Sequence, residues 1–354
     1  MPNIIVLPRP GSSKTNDNPQ SIQAPSEADF VSTFGQLLPP ASYLQTPIGG
    51  AAYYELPPTS ANTSNPTLRV ILLHGIQTSA IGLQPLAKAL SSRLPNAHIV
   101  LLDLWGHGLT DTPLVAHTPS IFHFLLDSLI THLKWENVHL VGYSFGGSTI
   151  GTFATAYPHR VSSLALVAPA GLIRTESFDE AGQSYLRGEQ GVDEEKVQAW
   201  ILKTLEGGEL IVPADWKKRI ARGEVVAEAV RDWEIKNHKG HMASVVAIFR
   251  DGGVLDKHAD LAAAAKMGIK NISIVGGTDD WSRKEDLQAV GFKDVVVIPQ
   301  TGHVVVREKV SEVADVIEKF WKALLAFLKR WTAAADSLRG YSCTRHLRNL
   351  LPMT

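Results

Sequence analysis

A serine between closely spaced glycines, Ser144 in the run Gly-Tyr-Ser-Phe-Gly, has the setting of a catalytic nucleophile. It directly follows the apolar run 138–141 and precedes a segment predicted to be helical. A strand that becomes a helix within one or two residues strains the serine backbone and lifts its hydroxyl clear of the sheet edge. Gly142 and Gly146 avoid collisions that a Cβ would make with the facing helix or strand. The pattern predicts a nucleophile, and an ordinary Gly-rich turn is the alternative.

A serine hydroxyl needs a base, and an imidazole base needs an orienting acid. Two adjacent acids, Asp279 and Asp280, follow one predicted strand, and His303 follows the next. Parallel strands bring their carboxyl ends to one sheet edge, so these side chains are expected to meet Ser144 there. His303 differs from the other histidines by its strand exit, its preceding glycine and the apolar run after it. Both acids remain candidates on this pattern.

Two backbone N–H groups are expected to stabilise the oxyanion that such a nucleophile creates. One belongs to Phe145, directly after the serine, and the other to Ile76, after an earlier strand and its His-Gly pair. His74 of that pair is interpreted as a structural residue. The side chains expected near the substrate are Gln77, Tyr143, Trp105 and Trp200.

A metal centre is not expected. His238 and His241 share a helical spacing, but they lack the companion glutamate of a zinc motif. The proposed chemistry needs no cofactor. The interpretation is therefore a small-molecule acyl substrate handled by side chains and backbone amides alone.

Composition excludes several other classes of protein. The 354 residues are 44% apolar and 19% charged, which is typical of a globular protein with a large core. A formal net charge of -1 provides no field for nucleic acid or anionic lipid. The single cysteine, Cys343, excludes an internal disulfide. Neither a signal peptide nor a membrane span is recognisable, so the expectation is a soluble intracellular protein, cytoplasmic or in another compartment.

The order of segments predicts one α/β domain with an insertion. Residues 1–42 are rich in Pro, Ser, Asn and Gln and are expected to form a flexible arm. Residues 43–331 alternate short apolar runs with helical patterns, as a parallel sheet covered on both faces requires. This alternation is interrupted at about 171–238, where charged segments with helical patterns predict an inserted cap. The tail 332–354 has no functional interpretation.

Five motifs, in their order along the chain, resemble the signature set of the α/β-hydrolase superfamily. They are Leu-Leu-His-Gly at 72–75, Asp-Leu-Trp-Gly-His-Gly at 103–108, the elbow at 142–147, Gly-Thr-Asp-Asp at 277–280 and Thr-Gly-His at 301–303. The resemblance covers about residues 43–331. It implies a mostly parallel eight-stranded sheet with helices on both faces and a helical cap. The second motif carries Trp105 where relatives have Arg or Pro, and that loop is interpreted as structural with Trp105 facing the pocket.

The resemblance also implies a mechanism. The spacing in relatives with Gly-Thr-Asp-Asp favours Asp280 over Asp279 as the orienting acid. Ser144 would attack a carbonyl with His303 as base, and water would then release the acyl group. A carboxylic ester, thioester or lactone is the expected substrate. Carbon–carbon bond hydrolysis, acyl transfer to another acceptor, and a non-catalytic receptor of the same fold remain alternatives.

Overall fold

A computed structural model describes residues 4–12, 20–60, 67–189 and 191–346. Its strands follow the short apolar runs of the sequence. They are β1 (Ser21–Ile22), β2 (Ser42–Thr46), β3 (Gly49–Leu56), β4 (Leu68–Leu73), β5 (Ala97–Leu102), β6 (Thr112–Pro113), β7 (Val138–Tyr143), β8 (Val161–Val167), β9 (Asn271–Gly276) and β10 (Val295–Ile298).

Eight of these strands form one twisted sheet in the order β10-β9-β8-β7-β4-β5-β3-β2. Every pair from β10 to β5 is parallel, whereas β3 runs antiparallel to both of its neighbours. Strands β2 and β3 form a hairpin, with Thr46 opposite Gly49. The expected α/β architecture with a mostly parallel eight-stranded sheet is confirmed.

Helices connect the strands and cover the sheet. In the part of the chain that the structure describes, they are α1 (Glu27–Phe34), α2 (Gln84–Arg93), α3 (Pro119–His132), α4 (Phe145–Ala156), α5 (Glu180–Arg187), α6 (Glu194–Glu206), α7 (Trp216–Ala221), α8 (Ala227–Asn237), α9 (His241–Ala247), α10 (His258–Lys266), α11 (Lys284–Ala289), α12 (Val305–Glu308) and α13 (Val310–His346).

Successive residues of the central strands serve two separate cores, because side chains alternate across a sheet. In β4, Ile71 and Leu73 join the core beneath α3, α4 and α10, and Val70 and Leu72 join the core beneath α2 and α13. All four are fully buried. Continuous apolar runs in this chain are therefore strands with helices on both faces.

The segment expected to be a cap carries α5 to α8 within 171–238. It lies between β8 and β9, and α9 and α10 follow it before the sheet resumes. Asp179 and Asp193 begin α5 and α6 by accepting backbone N–H bonds, and Gly188 and Gly207 end them in the left-handed conformation. These local signals explain why the insertion is helical.

The expectation of a flexible arm over 1–42 is wrong for residues 20–42. Strand β1 pairs with β6, and Ser26 caps α1 by accepting from the Asp29 N–H at 3.1 Å. Phe30 and Phe34 of α1 are buried, and their rings lie 5.2 and 5.9 Å from that of Trp233 in α8. The average composition of a segment does not indicate that two of its aromatic side chains pack against a residue about 200 positions further along the chain.

The expectation of a flexible arm is also wrong near the start of the chain, where Leu7 is buried and Arg9 pairs with Asp251 at 2.7 Å. Residues 1–3 and 13–19 lie outside the described chain.

The last helix, α13, crosses the boundary that the sequence suggested at 331. Its buried stripe, which includes Val313, Ile317 and Trp321, packs on the sheet, and its backbone remains helical to His346. The rest of the tail, 347–354, lies outside the described residues. Among the described helices, none is both long and apolar enough to cross a membrane.

Close packing between β4 and α4 requires glycine at two positions. A Cβ on Gly146 would collide with the carbonyl oxygen of Leu73, and a Cβ on Gly142 would collide with that of Gly146. Both obstacles are backbone atoms, which cannot rotate away. Glycine therefore sets how closely α4 approaches the sheet.

We expect Gly146→Ala to lower the free energy of unfolding by about 3 kcal/mol or more, because the new methyl group displaces backbone in a packed core. Gly208→Ala is the matched control, since a Cβ there meets no atom within 4 Å. Urea unfolding followed by circular dichroism measures both. Equal stability of the two variants would contradict the packing constraint.

Candidate active site

Ser144 occupies a strained turn between β7 and α4. Its φ of 52° and ψ of -116° lie outside the regions that L-residues commonly adopt. A hydrogen bond to the end of β8 stabilises the turn, because the Ser144 N–H donates to the carbonyl of Val167 at 3.0 Å. The side chain is largely buried, with 8% of the residue exposed. Strand, strained serine and helix therefore follow one another as the sequence predicts.

His303 lies between Ser144 and a carboxylate. Its Nε2 is 2.9 Å from the Oγ of Ser144, and its Nδ1 is 3.1 Å from Oδ2 of Asp279. With the proton on Nδ1, the ring donates to Asp279 and accepts the serine hydroxyl. This arrangement lets the imidazole take a proton from the serine while the carboxylate stabilises the resulting charge.

The contact expected of Asp280 is made by Asp279 instead. The Asp279 side chain is fully buried, and its Oδ1 accepts from the N–H groups of Trp281 and Ser282 at 2.8 and 3.1 Å. A turn after β9, closed by the Asp279 N–H and the Gly276 carbonyl, places this residue at the inner position and leaves Asp280 exposed. Spacing along the sequence did not distinguish the two acids, because the geometry of the turn decides which one faces the histidine.

The two expected oxyanion donors lie beside the nucleophile. Phe145 is the first residue of α4, so its N–H has no acceptor within the helix and lies at the positive end of the helix dipole. Ile76 lies in the loop after β4, and both residues line one cavity with Ser144. A Cβ on Gly75 would lie 3.0 Å from that of Ser144, so glycine permits the approach of this loop.

A cavity of about 120 Å³ opens above Ser144. Its walls are formed by Ile76, Gln77, Thr78, Tyr143, Ser144, Phe145, Ala170, Leu205, Arg231, Val254, Trp281, His303, Val304 and Arg307. Leu205 and Arg231 come from the inserted helices α6 and α8. The insertion therefore helps to enclose the reacting side chains.

The structure brings only part of the expected pocket to this cavity. Gln77 and Tyr143 line it, whereas Trp105 and Trp200 do not. Trp105 is fully buried and its indole N–H donates to the carbonyl of Ile121 at 3.1 Å. Trp200 of α6 packs against Phe178 and Tyr185 of the insertion and against Phe249, which follows α9. Both tryptophans fill cores, which is the common use of a large aromatic side chain.

Several lining residues were not identified from the sequence. Trp281 directly follows the two acids, and Val304 directly follows His303, so proximity to the motifs was a usable signal for both. Arg307 lies one helical turn after His303 on α12. Arg231 had no such signal, because its position depends on how α8 folds back over the sheet.

A buried carboxylate holds the loop after β5 in place. Asp103 accepts from the N–H groups of Ala80 and Leu109 at 2.7 and 3.0 Å and from the Tyr54 hydroxyl at 2.9 Å. Burial raises its pKa to about 6, and these three donors oppose the rise. The loop was expected to be structural, and its contacts in the structure are of that kind.

A row of buried histidines connects the loop after β4 with α9. His74 accepts from the Leu104 N–H at 2.9 Å, and Nε2 of His107 accepts from the Gln77 N–H at 3.3 Å. The ring of His241 lies 4.8 Å from that of His107. Burial lowers the pKa of His74 to about 4 and that of His241 to about 3. These rings are neutral near pH 7 and act as hydrogen-bonding groups.

Glu234 of α8 lies against the same histidines. It is fully buried, its Oε1 accepts from the Gly108 N–H at 3.2 Å, and its Oε2 lies 3.7 Å from Nδ1 of His241. Burial raises its pKa to about 8. The folded protein therefore keeps this carboxyl protonated at neutral pH. Within the described residues, no group of three or more potential ligands is arranged to hold a metal ion.

Comparison with known families gives one match, to the α/β-hydrolase fold over residues 69–202. A putative 2-succinyl-6-hydroxy-2,4-cyclohexadiene-1-carboxylate synthase of Bacillus subtilis is 25% identical over 272 residues, which are 72% of this chain and 91% of that protein. The human monoacylglycerol lipase ABHD6 is 34% identical over 109 residues, 29% of this chain and 31% of the lipase. The match to the lipase therefore covers less than a third of either protein.

Solved structures share the same fold at lower identity. An enol-lactonase from Burkholderia xenovorans superimposes with a TM-score of 0.58 at 17% identity, over 79% of this chain and all of the lactonase. The haloalkane dehalogenase DbeA from Bradyrhizobium elkani gives a TM-score of 0.62 at 18% identity, over 80% and 99% of the two chains. The sheet and its helices are thus a shared scaffold.

We expect Glu234→Gln to change how stability depends on pH. The folded-state pKa of about 8 exceeds the usual 4.5. As pH rises through this interval, Glu234 ionises in the unfolded chain but stays protonated in the folded protein, so the free energy of unfolding falls. Glutamine cannot ionise, so the variant does not lose this stability. The free energy of unfolding of the variant minus that of the original protein should therefore increase by on the order of a few kcal/mol between pH 5 and 8.5. Urea unfolding at both pH values measures this difference.

The control for that experiment is Glu195→Gln, on the exposed surface of α6. Its stability should follow that of the original protein at both pH values. A Glu234→Gln variant with the same parallel behaviour would show that Glu234 has no raised pKa.

Proposed function

We propose that this chain, which has the α/β-hydrolase fold, is a serine hydrolase that cleaves a carboxylic ester, thioester or lactone. The observation that supports this most is the chain of contacts from Ser144 through His303 to Asp279, at 2.9 and 3.1 Å. Nucleophile, base and orienting acid are the three groups that acyl transfer through a serine requires.

Acylation begins with removal of the Ser144 proton by Nε2 of His303. The serine oxygen attacks the substrate carbonyl, and the negative charge develops on the carbonyl oxygen. Asp279 holds the imidazole in the required tautomer and stabilises its positive charge. His303 then gives its proton to the leaving alcohol or thiol, which departs and leaves an acyl group on Ser144.

The oxyanion is stabilised by the N–H groups of Ile76 and Phe145. One such donor contributes on the order of 3 kcal/mol to transition-state stabilisation. The loop that carries Ile76 is fixed by the contact of Gln77 with His107, so its donor is held in place before substrate arrives. Deacylation repeats the sequence with water as the nucleophile and His303 as its base.

The cavity suits a small acyl substrate. Its volume of about 120 Å³ and its mainly apolar walls favour a short chain or small ring beside the serine. The names of two similar proteins, a monoacylglycerol lipase and an enol-lactonase, also refer to ester and lactone bonds. Halide displacement uses an enzyme carboxylate as nucleophile and forms an ester on it. A serine at the elbow instead favours an acyl-enzyme.

We expect a fluorophosphonate probe to label the protein at Ser144. Ser144→Ala should abolish labelling and lower kcat on a reactive ester by about 10⁶-fold, because the three residues act as a unit. Ser162→Ala, at a hydroxyl bonded to Asn137 near the protein surface, is the control and should be labelled fully. A folded protein that the probe leaves unmodified would contradict a hydrolase and favour a receptor.

Asp279→Asn should lower kcat by roughly 10³- to 10⁴-fold, because the amide no longer selects the Nδ1-protonated tautomer. Asp280→Asn is the matched change one residue along the chain and should alter kcat less than about threefold, since its side chain is exposed. Steady-state kinetics on the same ester compares them. A larger loss in the Asp280 variant would reverse the assignment.

A further inference from the structure

The charged side chains in the cavity wall are of one sign. Arg231 and Arg307 both line it, and none of the fourteen described lining residues is an aspartate or glutamate. Esters of simple alcohols with fatty acids carry no charge that such groups would bind. The hydrolytic chemistry itself uses neither arginine. Their presence therefore calls for a role in recognising the substrate.

Arg307 is the less neutralised of the two. Its guanidinium carbon lies 5.6 Å from the ring centroid of Tyr143, the residue before the nucleophile. Within the described chain, no carboxylate oxygen lies within 4 Å of its side-chain nitrogens. A ring face partly stabilises a cation but does not neutralise its charge. Arg307 thus places a positive charge in the cavity of Ser144 with no described carboxylate in ion-pair contact. Glu206, the partner of Arg231, also lies within the electrostatic influence of Arg307.

Arg231 is held by acidic partners but keeps an unused donor. Its Nη2 lies 2.9 Å from Oε2 of Glu206 and 3.6 Å from Oε1 of Glu228. Its Nε is buried and has no hydrogen-bond partner among the described residues. Burial lowers the pKa of Arg231, and the charge of Arg307 lowers it further. Both arginines line the same cavity, so their positive charges repel each other, and Glu206 offsets part of that repulsion.

A second unused donor lies in the same wall. The buried side-chain nitrogen Nε2 of Gln77 also lacks a partner among the described residues, and Gln77 is only 3% exposed. A buried donor without an acceptor is destabilising, because it has lost its hydrogen bond to water without replacement. An anion with several acceptor oxygens would supply acceptors for these groups and offset the repulsion between the arginines.

We propose that the substrate of this hydrolase carries a carboxylate, which Arg307 and Arg231 bind while Ser144 attacks an ester, thioester or lactone elsewhere in the same molecule. This inference rests on the proposed function of Ser144 and adds the class of substrate. Arg307 supplies the charge, and Arg231, oriented by Glu206, supplies further donors. A planar carboxylate matches the paired donors of a guanidinium group.

The test compares matched esters that differ by one charge. The 4-nitrophenyl monoesters of glutarate, adipate and suberate carry a terminal carboxylate, and their terminal methyl esters do not. We expect kcat/KM for at least one acid to exceed that for its methyl ester by about 10- to 100-fold, the contribution of a charge-assisted hydrogen bond. The same comparison with 4-acetoxybenzoate and its methyl ester places the charge on the leaving group.

Arg307→Met should lower that ratio at least about tenfold, and Arg307→Lys should restore part of it because charge is kept while the paired donors are lost. A general loss of activity cancels in the ratio. Arg222→Met removes one positive charge from an exposed position after α7 and should leave the ratio unchanged. Ratios near one throughout, with the methyl esters hydrolysed, would overturn the carboxylate while leaving the hydrolase intact.

A binding measurement separates this inference from the catalytic one. Monomethyl adipate and dimethyl adipate are titrated into the Ser144→Ala protein by calorimetry, where no turnover occurs. The acid should bind at least about tenfold more tightly than the diester, and Arg307→Met in the same background should remove the difference. Equal binding would overturn the carboxylate site. Failure of the proposed function is detected independently as absent fluorophosphonate labelling in the unmodified protein.

Discussion

The close contact between α4 and the ends of β4 and β7 is the constraint on which the rest of the site depends. Glycines at 142 and 146 let the helix approach the Leu73 carbonyl, and Ser144 between them is held at a φ of 52°. This conformation is costly in isolation, but surrounding hydrogen bonds and two packed cores maintain it. Phe145 and Ile76, whose N–H groups are the proposed oxyanion donors, line the same cavity as Ser144. The strained turn thus places the Ser144 hydroxyl in the cavity, next to the first N–H of α4.

Buried polar groups then fix the loops around that contact. Asp103 holds the loop after β5, and the histidine row runs from His74 and His107 to His241 at the start of α9. Glu234 of the inserted helix α8 accepts from the Gly108 N–H in the same region. Burial keeps these rings neutral, so they act as hydrogen-bonding groups without the cost of buried charge. Through His107 and Gln77 the same network reaches the residue next to an oxyanion donor. The insertion is therefore connected to the catalytic loops by hydrogen bonds as well as by apolar packing.

Catalysis and recognition draw on different parts of this fold. The reacting side chains stand at the carboxyl ends of the parallel strands β7, β9 and β10, a scaffold shared with enzymes of several named activities. The positive charges of the cavity come from α8 and α12, which lie outside the sheet. A common mechanism can thus be combined with a substrate preference set by a few side chains on the surrounding helices.

The sequence by itself determined the sheet, the elbow, and the positions of Ser144 and His303 at one sheet edge, because these depend on local patterns: apolar runs, glycine spacing and strand exits. The prediction of Asp280 as the acid that meets His303 is wrong, since one turn after β9 places Asp279 there instead. The sequence also assigned mobility to a segment that Phe30 and Phe34 anchor, and assigned Trp105 and Trp200 to the pocket. Those outcomes, like the position of Arg231, depend on contacts between residues far apart in the chain. Only the tertiary structure brings such residues together.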